Sequence, residues 1–255
     1  LLMNAIIFVG PSVILGHNEE YVINDQNNKY AFTYHYNDLS NYVNLEQISP
    51  FFKSAIIASE DQRFYSHNGL DYRRIVASLI DNIKNRKIVA GGSTITQQLA
   101  RTIYLNNEKS IMRKLKEAII ARKIELSYSK EQILEAYLNC IYFGHNIYGI
   151  DEASNYFFNK KPNQLTLGES ALLAGIISSP SNFSPDVDIE KSLAKQKQVL
   201  KKMLNQNKIN NQEYDLAISE NLKFAFNKKY QSCNRNTLYF YDAIIDELKN
   251  NNVLK

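Results

Sequence analysis

Tryptophan is absent from this 255-residue chain, and cysteine, histidine, proline and glycine are all scarce. The two cysteines, Cys140 and Cys233, cannot frame a disulfide scaffold or supply a four-cysteine zinc site. Two free thiols are favoured over a single bridge. The four histidines are scattered, with no HxxxH or HxxEH pair, so no metal site is read from them. Nine glycines and five prolines exclude collagen-like and Gly/Pro-rich low-complexity chains. Excess charge of one sign is small, at +4. It suits an anionic ligand or a membrane surface, and falls short of a dedicated nucleic-acid binder, so no nucleic-acid partner is expected. Long hydrophobic runs are missing too. The apolar opening, Leu1 to Leu15, rises about 1.5 Å per residue and covers only part of a roughly 30 Å hydrocarbon core. Gly10-Pro11 would interrupt a helix there, and the flanks do not suit a signal peptide. Residues 1–16 therefore read as the end of a membrane anchor or as a helix packed on the core, with the anchor favoured.

With 44% hydrophobic and 22% charged residues, the chain can bury a real core, and its length suits one large domain or one domain with an appendage. In residues 17–48 the alternation of Tyr30, Phe32, Tyr34 and Tyr36 predicts a short strand over Lys29 to Tyr36. From Ser49-Pro50 onward the pattern is helical, an N-cap followed by proline at the first helical position. A stripe of Phe51, Phe52, Ala55 and Ile56 leads to Glu60. Asp71 caps a second helix with Ile75, Val76, Leu79, Ile80 and Ile83 on one face. Three capping boxes mark further starts: Thr94 with Gln97, Ser129 with Gln132, and Thr166 with Glu169. Between the first two, Ile111 to Ser127 reads as a helix with Leu115, Ala118 and Ile119 on its apolar face. Leu167 to Ile177 reads as a buried helix, Ser178 to Asp188 as a loop. Beyond these come amphipathic segments near 190–205, 211–220 and 237–250, thin in core residues.

Chemistry concentrates in three stretches. In Ala58 to Gly69, Glu60 and Asp61 fall where a packed helix gives out, next to Phe64 and His67. A carboxylate partly removed from water there suits a general base or acid; a solvated helix end is the alternative. In Gly91 to Arg101, glycines lead into a capped helix whose free N–H groups could meet an anion, although a plain capped loop has the same pattern. Thr94 and Gln98 share a face there, with Arg101 one turn on. In Lys109 to Glu125, the spacing of Lys109, Arg113 and Glu117 puts two cations and a carboxylate on one helical face. A surface ion ladder and a cleft wall both fit. Ser127 to Lys130 and Ser192 to Lys195 match SxxK, but no KTG or KSG follows and both read as coincidence.

Together these stretches resemble the peptidoglycan glycosyltransferases of glycosyltransferase family 51, the domain of class A penicillin-binding proteins and monofunctional transglycosylases. Glu60, Asp61, Phe64, His67 and Gly69 match the family's ED-x-x-F-x-x-H-x-G motif. Gly91 to Leu99 matches G-x-S-T-I-T-Q-Q-L, and Arg113, Lys114 and Glu117 match R-K-x-x-E. Ser129 to Asn139, Tyr142 to Gly144, Glu169 to Ala174, and Ser179-Pro180 with Ser184-Pro185 resemble later blocks. Arg101 and Lys109 stand where many members have Lys and Arg respectively, a change of donor geometry rather than of charge.

The resemblance implies a mainly α, lysozyme-like, two-lobed domain with a catalytic cleft, over residues 49–188. It implies a helical linker over 189–255 leading toward a transpeptidase domain beyond Lys255. It implies polymerisation of lipid II onto a lipid-linked glycan chain at the outer face of a bacterial cytoplasmic membrane. Glu60 would be the general base and Glu117 the assistant on the donor side. Asp61, Phe64 and His67 would shape the base's surroundings. Gly92, Ser93, Thr94, Gln97 and Gln98 would hold sugars and phosphates, and Arg101, Lys109, Arg113 and Lys114 would offset the pyrophosphate charge. No cofactor is obligatory, with Mg or Mn an optional companion of the pyrophosphate. A lytic enzyme on the same scaffold and a non-catalytic wall-binding domain are the rival readings. The cationic residues weigh against the first and the presence of Glu60 against the second.

Overall fold

The computed structural model describes residues 21–24, 30–34, 42–85, 91–104 and 110–227. The predicted anchor, Lys109, Cys233 and the segment 237–250 lie outside them. So do the ends of the expected strand, Lys29 and Tyr36. Its centre is a strand: β1 (Tyr21–Asn24) pairs antiparallel with β2 (Tyr30–Tyr34), Tyr21 opposite Tyr34 and Ile23 opposite Phe32. This hairpin belongs to one unit, while residues 43–233 cluster as another.

The larger unit is mainly helical. Its elements are α1 (Pro50–Glu60), α2 (Tyr72–Lys84), α3 (Ile95–Tyr104), α4 (Ile111–Ser127) and α5 (Lys130–Cys140). A short hairpin, β3 (Tyr142–Gly144) with β4 (Ile147–Tyr148), leads to α6 (Ile150–Phe158) and α7 (Leu167–Ile176). Then come α8 (Pro180–Phe183), α9 (Ile189–Asn205) and α10 (Asn211–Ser219). No helix among the described residues is long and apolar enough to cross a membrane.

Local chemistry sets most of these starts. All three capping boxes form as the sequence predicts, and Asp71 Oδ1 accepts the Arg74 N–H at 3.0 Å to open α2. Ser49 sits at the N-cap of α1, but its hydroxyl donates to Leu165 O instead of capping. α7 is buried throughout from Gly168 to Ile176. It packs between α1, which brings Phe52, Ala55 and Ile56, and α9, which brings Val199, Leu200 and Met203. A second group forms where α3 packs on α4 and α5.

Four expectations change. Phe51 is 40% exposed, so the inward stripe of α1 begins at Phe52. α8 interrupts the segment expected to be a loop, because Ser179-Pro180 repeats the start signal of Ser49-Pro50. α9 does not trail away as a linker; three apolar residues on one face suffice to pack it against α7 and α1. On α4 the buried side is Glu117, Ala121 and Ile124, while Leu115 and Ile119 are 55% and 45% exposed. The apolar face expected to pack inward points to the outside. Cys140 is a free thiol, as expected.

Candidate active site

The site lies where the C-terminal end of α1 meets the N-terminal half of α3. The chain leaves α1 at Glu60, and Asp61 turns inward with no exposed surface. Asp61 Oδ2 accepts the backbone N–H of Ile95, the first residue of α3, at 3.0 Å. The positive end of that helix, read from sequence as an anion site, thus receives a carboxylate from the chain itself. His67 Nε2 donates to both Asp61 oxygens, at 2.9 and 3.0 Å, while its Nδ1 accepts from Gly69 N at 3.2 Å. That pattern fixes the ring proton on Nε2. His67 is a strut between Asp61 and the turn at Gly69.

Glycine is required at that turn. Gly69 has φ +90°, and a Cβ there would lie 3.0 Å from Ala121 O of α4. Its carbonyl accepts from Thr94 Oγ1 at 2.7 Å, tying the first motif stretch to the second. Thr94 and Gln97 are buried and bonded to each other in the capping box. Gly92 passes so close to α2 that a Cβ would meet Ser78 Oγ at 2.9 Å.

Glu60 is held by Gln98 of α3, whose Nε2 donates to Glu60 Oε2 at 2.9 Å. The other carboxylate oxygen has a 3.5 Å contact with Ser59 Oγ. Gln98 is itself oriented by Tyr137 of α5, whose hydroxyl donates to Gln98 Oε1 at 3.1 Å. Burial, with the Glu60 charge beside it, holds the Tyr137 hydroxyl well above the ordinary tyrosine range, so it remains a donor. Arg101, one turn beyond Gln98, is partly exposed and acts electrostatically on Tyr137. Phe64 is fully buried, edge-on to His67 at 6.3 Å and beneath Lys130 Nζ at 4.4 Å. Its ring thus packs the underside of this corner, and the polar partner of Glu60 is Gln98.

A second cluster forms on α4. Glu117 is 1% exposed, so the spacing of Arg113 and Glu117 is not a solvated ladder. Arg113 donates to Glu117 Oε1 at 2.8 Å and Lys114 Nζ bonds Oε2. The same Lys114 ammonium reaches Ser93 Oγ at 2.7 Å, which joins this cluster to the entry of α3. Arg113 Nε is buried and has no hydrogen-bond partner among the described residues. An orphaned guanidinium donor beside a second cation suits an anionic oxygen.

Three contributors were not singled out from sequence. Tyr137 carries a weak local signal, a hydroxyl within the buried face Ile133, Leu134 and Leu138 of α5. Arg74 of α2, which bonds Glu60 O, and Lys202 of α9, which bonds Ser59 O, carry none, because their partners are remote in the chain.

The chain matches the family model described as Transglycosylase over residues 27–204. It is 41% identical over 214 residues to Penicillin-binding protein 2D of Bacillus subtilis (strain 168), covering 84% of this chain and 31% of that protein. It is 40% identical over 196 residues to Penicillin-binding protein 1A of Neisseria lactamica, covering 77% of this chain and 24% of the other. The crystal structure of Penicillin-binding protein 1A from Haemophilus influenzae aligns with TM-score 0.44 at 19% identity, over 91% of this chain and 24% of that one. The chain thus spans less than a third of the length of these relatives. With a family match over most of its length and relatives at this level of identity, the chain belongs to the transglycosylase family.

Proposed function

We propose that this chain is a peptidoglycan glycosyltransferase that polymerises lipid II, the undecaprenyl-pyrophosphate-linked disaccharide-pentapeptide, into glycan strands. The observation that carries the reading is the pairing of two unlike carboxylates around the start of α3. Glu60 has one oxygen bonded by Gln98, while the other has only a 3.5 Å contact with Ser59 Oγ. Glu117 is bracketed by two cations. Glu60 takes the proton from the 4-hydroxyl of the acceptor GlcNAc. That oxygen attacks the anomeric carbon of the lipid-linked donor chain from the side opposite the leaving group. The anomeric carbon–oxygen bond to the pyrophosphate breaks, and undecaprenyl pyrophosphate departs with the bonding pair, inverting the centre. Arg113, through its unpartnered Nε, with Lys114, Arg101 and Lys109, stabilises the charge on the departing group. Gly92 and Ser93 border the donor phosphates, and Gln98 keeps the base aimed at the acceptor.

A divalent cation at the pyrophosphate would take most of its oxygen ligands from substrate. Among the described residues no three Asp, Glu, His or Cys side chains converge to hold one. Both Glu117 oxygens are already engaged, so no step is routed through a metal.

The substrate's lipid tails require a bilayer beside the site. Val76 and Ile80 on α2, and Ile111, Met112, Leu115 and Ile119 on α4, are large, apolar and exposed. They form the membrane-facing surface at the outer side of a bacterial cytoplasmic membrane, with residues 1–16 as the anchor's end. The relatives' name and greater length favour a penicillin-reactive transpeptidase domain beyond Lys255. The test supplies labelled lipid II with detergent and divalent metal. Long strands are expected. Cleavage of finished peptidoglycan without strand synthesis would replace this reading with the lytic one, for which a cation pair beside a neutral glycosidic bond has no use.

A further inference from the structure

The last carbonyls of a helix have no partner inside it, and in α1 that end carries Glu60. Ile57 O receives the Asp61 N–H at 3.0 Å. Each of the next three carbonyls is met by a side chain from another helix or its cap. Ala58 O accepts from Gln206 Nε2 at 3.0 Å, Ser59 O from Lys202 Nζ at 3.1 Å, and Glu60 O from an Arg74 guanidinium nitrogen. Lys202 lies on α9 and Gln206 caps its end, one turn apart, and their partners are 143 and 148 residues away. Lys202 as a residue is exposed, and its ammonium is partly buried where it meets Ser59 O. Burial lowers its pKa, and the charge of Glu60 partly restores it.

A base at this place needs its helix end held, because terminal carbonyls without partners leave the last turn of a helix free to fray. The other titratable and charged groups at this corner are Asp61 next to Glu60, Arg74 of α2, Arg101 of α3 and Tyr137 of α5. Lys202 comes from α9, with Lys195 two turns behind it. Two cations, Arg74 and Lys202, sit directly on the last two carbonyls of α1.

Resting on the assignment of Glu60 as the base, we propose that Lys202 is a positioning residue: from α9 its ammonium clamps the end of α1 and so holds the Glu60 carboxylate in place. The helix that the sequence presents as a linker is then part of the catalytic unit, and any displacement of α9 is felt at the base.

The experiment compares wild type, Lys202→Met, Lys202→Arg and Glu60→Gln in lipid II polymerisation, with thermal unfolding of each. Lys202→Met keeps most of the apolar stem and removes the ammonium that bonds Ser59 O. Its kcat should fall about tenfold with KM unchanged, because substrate still binds while the base is misplaced. Lys202→Arg keeps a charged donor and should restore most of the rate. A Lys202→Met variant with wild-type kcat, a loss that appears in KM instead, or an Arg variant as impaired as the Met variant overturns the proposal. Full activity in Glu60→Gln would remove the base and with it this role. An inactive Glu60→Gln beside a fully active Lys202→Met would remove the role of Lys202 alone.

Discussion

Tyr137 is almost wholly enclosed, yet it carries a hydroxyl that reaches Gln98 at 3.1 Å, and Gln98 in turn reaches Glu60 at 2.9 Å. A primary amide has two faces of opposite character, and a permanent donor on one oxygen decides which end meets the carboxylate. Tyr137→Phe should therefore lower kcat/KM by about three- to tenfold while costing about 1 kcal/mol of stability, the usual value of one buried hydrogen bond. Combined with Gln98→Ala, the same substitution should cost little more, because its effect passes through the amide. Independent, multiplying losses would contradict that route. At this scale the sequence was informative wherever the motif residues were neighbours. Asp61, His67, Gly69 and Thr94 all meet, and the turn at Gly69 explains why glycine stands there. The clamps on α1 escaped notice because a carbonyl 143 residues away leaves no mark on the sequence around Lys202.

Among the elements, helix starts were legible because caps are local chemistry. Asp71 shows this together with an electrostatic part that can be separated from it. It caps α2 through Arg74 N and pairs with Arg63, whose nitrogens lie 3.0 and 2.6 Å from its oxygens. Desolvation works against its charge, but the Arg63 pairing and the cap bond outweigh it and hold its pKa below the ordinary carboxylate value. The carboxylate's contribution is thus complete above about pH 4 and disappears as pH falls through the lowered native value. Asp71→Asn keeps the cap and removes the charge. Urea unfolding should find it less stable than wild type at pH 7, by up to about 1 kcal/mol given the exposure of Arg63, with the difference closing near pH 2. A gap that persisted in acid would point to lost packing instead. Which face a helix buries was less legible. Period 3.6 finds a stripe but not its partner, and on α4 the apolar stripe of Leu115 and Ile119 faces out while charged Glu117 goes in. On α9 three apolar residues among many lysines were enough for the core.

At the scale of the molecule, the proposed function, whose substrate carries lipid, gives those outward residues a purpose. Fully burying a large aliphatic side chain is worth about 1.5–3 kcal/mol, so under that proposal a few of them would decide whether the domain holds to a bilayer. Leu115→Ser combined with Ile119→Ser should leave helical circular dichroism intact and reduce liposome co-sedimentation about tenfold or more. Unchanged binding would move the membrane contact elsewhere. The mainly α architecture and the order of the motif blocks were readable from sequence; the packing of α9 against α1 and α7 was not, since it joins segments separated by most of the domain. The central claim is that one carboxylate at the end of α1 activates the acceptor sugar while cations on α4 receive the leaving group. Its most direct test is strand synthesis from labelled lipid II by wild type and by Glu60→Gln, both verified as folded. The account predicts long strands from the first and a loss of at least about a hundredfold in the second, whereas strand synthesis by Glu60→Gln near the wild-type rate would contradict it.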